Sequence, residues 1–99
     1  MFDETPSPAD IPVIAMGFVS YIPPQHREKA AIDSAVRALL ASLTDSWDVL
    51  IKPAATVRWW IVTMVRQRDG YTWPFFVDTR QQTAAGVTDA ISEVVRLSA

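Results

Sequence analysis

His26 is the single histidine of a 99-residue chain without cysteine, so acid–base or metal chemistry has few side chains to draw on. It sits in PPQHREK, at the start of an expected helix. A zinc-type site needs several nitrogen or sulfur ligands, and His26 would have only carboxylates beside it. It reads as a solvated residue of the first helical turn. No serine or threonine lies in the surroundings of an activated nucleophile, and a triad would have to recruit His26. Asp45 and Asp48, close together in TDSWD, form a pair of the kind that binds Mg²⁺ or moves protons. Their place just before an expected strand fits a simpler task, because aspartate caps backbone N–H groups in turns. Three glycines in the whole chain are too few for a phosphate-cradling loop. The expectation is a protein that is not an enzyme, with no catalytic residue, no metal site and no cofactor.

The remaining chemistry lies in Thr56–Asp78, TVRWWIVTMVRQRDGYTWPFFVD. Arg66, Arg68, Tyr71 and Trp73 interleave guanidinium groups with aromatic rings. Such a set can stack nucleic-acid bases and hold phosphates. It can equally make a cross-strand cation–π pair, Arg66 opposite Trp73, that stabilises a hairpin. With Lys52 and Arg58 as the only nearby positive charges, nucleic acid is the weakest of the functional classes considered.

These residues must be positioned by a hairpin. Asp69-Gly70 between two alternating apolar runs predicts a two-residue type I′ loop, pairing Arg68 with Tyr71, Arg66 with Trp73, Met64 with Phe75 and Val62 with Val77. Pro74 then falls where its missing N–H would point away from the partner strand, so Tyr71–Val77 is expected at a sheet edge. Past the short Trp47–Lys52 strand, Val65 to Trp73 is expected to project as a two-stranded arm. One hairpin face, with Trp60, Val62, Met64, Phe75 and Val77, is assigned to the core. The other presents Trp59, Ile61, Val65, Pro74 and Phe76 among Thr63, Gln67 and Thr72. An uncovered apolar patch of this kind marks an interaction surface with aromatic anchors; the alternative is that the leader or a loop folds over it.

Residues 1–10 read as a flexible acidic leader and 11–99 as a single domain. Ile11–Ile22 is an expected strand whose heavier face is Ile14, Met16, Phe18 and Ile22. Pro23-Pro24 ends it and starts an amphipathic helix over Gln25–Leu43, with Ile32, Val36, Leu39, Leu40 and Leu43 at helical spacing. A second helix, Arg80–Leu97, buries Val87, Ile91 and Val94, with Thr79–Gln82 or Asp78–Gln81 as its capping box. Gly86 inside it suggests close packing on the sheet. The order β-α-β-β-β-α predicts an α+β two-layer sandwich, a four-stranded, mostly antiparallel sheet with two helices on one face. From residue 26 to 97 the element order α-β-β-β-α is similar to that of double-stranded-RNA-binding domains. RQQTAAGVTD, however, lacks the basic residues with which that family's last helix begins, and no family follows from order alone.

Composition bounds the rest. A chain that is 49% hydrophobic with net charge −2 is foldable and carries no strong electrostatic signature. The acidic opening MFDETPSPAD has the wrong charge for a signal peptide, and Ile11–Ile22 is too short to cross a bilayer. A cytoplasmic protein with no membrane segment is expected, and seven arginines to two lysines with no asparagine fit a high-GC bacterial gene. The leading expectation is a small interaction module, of the kind found among bacterial accessory and mobile-element proteins. Its partner would be a second copy, in a homodimer, or another protein, met by the face bearing Trp59, Ile61, Val65 and Phe76. The alternative is a domain that binds an anionic or aromatic small molecule in a cleft lined by Trp47, Trp59 or Trp60.

Overall fold

The computed structural model describes residues 17–55 and 57–98. The expected leader, and Ile11–Met16 of the expected first strand, lie outside the described residues. The element order is β1 (Phe18–Ser20), α1 (Lys29–Ser42), β2 (Trp47–Pro53), β3 (Trp60–Arg66), β4 (Thr72–Val77), a 3₁₀ turn (Thr79–Gln81) and α2 (Ala84–Leu97). The four strands form one mixed sheet in the order β1-β2-β3-β4, with β1 parallel to β2 and the other pairs antiparallel. The parallel pair needs a crossover, which α1 supplies. The fold is α+β, as its element order implies.

Strand alternation decides the core. Along β3, Trp60, Val62, Met64 and Arg66 are buried and the residues between them only half-buried. Register places Val49 beside Met64 and Ile51 beside Val62 on that same face. These side chains share one core with Ile32 and Val36 of α1 and Val87, Ile91 and Val94 of α2, and Ile22 joins them. The expected helical residues are therefore core, except that Leu39, Leu40 and Leu43 are half-buried at its margin.

Both helices begin later than their apolar spacing suggested. Pro23-Pro24 leads into two turns, held by His26 N–H donating to the Pro23 carbonyl at 2.9 Å and Lys29 N–H to that of His26 at 3.1 Å. Asp78 and Gln81 do form a capping box, but on the 3₁₀ turn. A second cap, Thr83, whose hydroxyl accepts the Gly86 N–H at 3.0 Å, opens α2. Gly86 is explained by this doubling rather than by the sheet. A Cβ there would run into the Gln81 backbone, 2.8 Å from its carbonyl carbon.

The hairpin loop is longer than Asp69-Gly70. Arg66 faces Tyr71, its N–H donating to the Tyr71 carbonyl at 2.8 Å, and Gln67–Gly70 make a four-residue loop with Gly70 at φ 75°. Met64 is opposite Trp73 and Val62 opposite Phe75, so Arg66 and Trp73 are not a cross-strand pair. The shift is by two residues, the period of a strand, so every side chain keeps its expected face. Pro74, opposite Thr63, also keeps its nitrogen away from β3, on the sheet edge where β4 lies. No arm projects, because β2 is long enough for Trp47 to pair with Arg66 at the far end of β3.

Candidate functional site

The sheet face turned away from the core is built in rows by the register. Val19, Leu50, Thr63 and Pro74 form one row across the four strands. The next is Lys52, Ile61 and Phe76, to which Tyr21, just past β1 and bonded through its N–H to the Ile51 carbonyl at 2.7 Å, adds a fourth position. A third row is Asp48, Val65 and Thr72. Trp59 stands at the head of β3, its ring edge-on to Phe76 with centroids 5.7 Å apart. Phe76 is 56% exposed, Tyr21 55% and Trp59 43%, while Ile61, Val65 and Leu50 between them are half-buried. Lys52 is the exposed charge of these rows. Asp48 is buried and accepts a 2.7 Å hydrogen bond from the Gln67 amide, so Asp48 does not pair with Asp45 as a metal or acid–base site. Asp45 instead holds Arg68 at 3.2 Å.

Trp59, Ile61, Val65 and Phe76 are thus brought together on one surface. Arg66, Arg68, Tyr71 and Trp73 are not part of it. Arg66 points to the core side, buried, with its guanidinium carbon 5.0 Å from the centre of the Tyr71 ring and 5.6 Å from that of Trp47. Its donors are taken by Asp69 and by the Ser98 carbonyl at the end of α2. Arg68 is committed to Asp45 on the loop. Trp73 is 39% exposed at the β4 edge, its ring 6.2 Å from that of half-buried Tyr71. The two arginines do not make one continuous positive surface. Among the described residues no group of three acidic or histidine side chains gathers at metal-binding distance, and no helix is long and apolar enough to cross a membrane.

Tyr21, Val19 and Leu50 were missed as members of this face. The signal was present in the alternation of the first strand, where Val19 and Tyr21 must oppose Phe18 and Ser20 once the latter turn inward.

A second feature lies at the head of the sheet. Pro23 and His26 from the turns before α1, Pro53 from β2, Val57–Trp60, Thr79 and Gln82 enclose a cleft of 490 Å³. The His26 ring meets Trp60 edge-on at 5.0 Å, and its Nδ1 accepts the Glu28 N–H at 3.1 Å, so His26 is half-buried packing and a helix-start acceptor rather than a solvated residue. Gln82, buried, donates from its amide to the Arg58 carbonyl at 2.6 Å, fixing the approach to β3.

Compared with known proteins, the chain matches no family model, no curated protein and no solved structure.

Proposed function

We propose that the protein is a non-enzymatic, cytoplasmic interaction module that pairs with a second copy of itself through the outer sheet face. One observation carries this: Trp59, Phe76 and Tyr21 stand exposed around half-buried Val19, Leu50 and Ile61, an apolar surface of a kind that monomers seldom leave open. Exposed aromatic side chains on an apolar surface are what anchors an interface. A second copy is favoured by charge. A two-fold contact sets a surface against itself, and a face whose exposed charge among the described residues is one lysine opposes few like charges when it does so. The Lys52 stem can lie along apolar surface while its ammonium reaches water.

The test is the mass in solution at high micromolar concentration, by light scattering after size exclusion. Wild type is expected to be a dimer at both low and high salt, since an uncharged contact is little screened. Phe76→Asp and Thr63→Arg are each expected to give a folded monomer with wild-type circular dichroism, because an unpaired charge in a dry contact is costly. A monomeric wild type, or dimers persisting in both folded variants, refutes the reading.

A further inference from the structure

We infer that the cleft at the head of the sheet binds a flat aromatic molecule bearing a carboxylate or comparable anionic group. Shape gives the first half of this assignment. Five of the ten lining residues are proline, valine or tryptophan, and the volume falls within the range of about 300–1,000 Å³ usual for small-molecule sites. Trp60 is 4% exposed and held in the core, whereas neighbouring Trp59 is 43% exposed. One wall is thus rigid and the other can be covered by a ligand. Flat aromatic faces prefer such partners, in offset or edge-on geometry.

Charge gives the second half. Among the described residues no aspartate or glutamate lines the cleft, in a chain whose acids outnumber its bases by eleven to nine. Arg58 does line it and forms no ion pair with another described residue. Its backbone is pinned by the Gln82 amide at 2.6 Å, so the guanidinium starts from a fixed point. His26 adds a donor of defined position. Its Nδ1 is occupied by accepting the Glu28 N–H, which leaves Nε2 as the protonated nitrogen of the neutral ring. A guanidinium and an N–H donor in one apolar-walled cleft, with no acid among its described lining residues, suit an anion and disfavour a cation.

The experiment is an ¹H–¹⁵N NMR titration of the full chain with three probes of one ring system: indole-3-carboxylate, the neutral indole-3-carboxamide and the cation tryptamine. The carboxylate is expected to move the Trp60 indole N–H and the Gln82 side-chain amide saturably, binding about tenfold more tightly than the carboxamide, the scale of one charge-assisted contact. Tryptamine is expected to bind most weakly. Arg58→Gln, a substitution at an exposed position, is expected to abolish the preference for the carboxylate while leaving the fold intact. Thr63→Arg, on the outer face two rows from Trp59 and not a lining residue of the cleft, is expected to bind at least as tightly as wild type, which separates this site from the outer face. Absence of saturable shifts at Trp60 and Gln82, shifts confined to Thr63 and Phe76, or equal binding of the three probes would overturn the assignment.

Discussion

Arg66 and Asp69 meet as a fork on a fork: Nε donates to Oδ1 at 3.1 Å and Nη2 to Oδ2 at 2.9 Å. The third arm of the guanidinium, Nη1, reaches the Ser98 carbonyl at 2.9 Å, so the hairpin loop is tied to the end of α2. The bond from Arg66, aided by the Tyr71 N–H, lowers the Asp69 carboxyl from 3.8 to about 2, and the same pair raises Arg66 above its ordinary value. An acid whose pKa is depressed by folding stabilises the fold above its unfolded pKa of about 4, and that contribution is lost as pH falls toward the folded value. Asp69→Asn is therefore expected to be less stable than wild type at neutral pH, with the gap closing between about pH 4 and pH 2. Urea midpoints across that series check it. A gap that stays constant down to pH 2 would mean that the carboxylate charge has no part in the difference.

Gly86→Ala sets two effects against each other. Alanine in a helix interior is favoured over glycine by about 1 kcal/mol. The new methyl would meet the backbone of Gln81, 2.8 Å from its carbonyl carbon, and backbone yields less readily than a side chain. Overpacking of this kind costs about 1–3 kcal/mol, so the variant is expected to unfold at lower denaturant than wild type. A rise in the midpoint would mean that the 3₁₀ turn and α2 can separate without loss.

Ile91→Ala and Leu39→Ala should differ although both lie on apolar helix faces. Ile91 has no exposed surface and Leu39 is packed at the margin of the core. The expected losses are about 2–5 kcal/mol for Ile91, and less than about 2 kcal/mol for Leu39, whose cavity is open to water. Equal losses in chemical denaturation would show that α1 lies deeper than its exposure indicates.

The elements and their faces were legible in the sequence because alternation and helical spacing are local signals that burial on one side imposes. The hairpin loop was not. The preference of Asp-Gly for a two-residue turn was outweighed by the Asp69 side chain, which accepts from the Tyr71 N–H at 3.1 Å and from Arg66 and so supports the wider loop. Face assignments survived because the error was a whole strand period. Of the outer face, Trp59, Ile61, Val65 and Phe76 could be grouped from the hairpin alone. Val19 and Tyr21 needed the β1–β2 register, a parallel pairing across a helix that no local pattern specifies. The cleft was less legible still. Pro23, Pro53, Arg58 and Gln82 are brought together by tertiary packing, and the bond from the Gln82 amide to the Arg58 carbonyl spans twenty-four residues.

Pro74 also bears on stoichiometry. Counting outward from the hydrogen-bonded Arg66–Tyr71 pair, Thr72, Pro74 and Phe76 are the β4 residues whose nitrogens face away from the sheet. The middle one has no hydrogen to donate. A further strand laid along β4 would lack the central bond of its ladder, so growth of the sheet at this edge is interrupted where a fibre would have to propagate. Were the outer face to pair two copies as proposed, a third copy would find at the β4 edge a ladder broken at its centre.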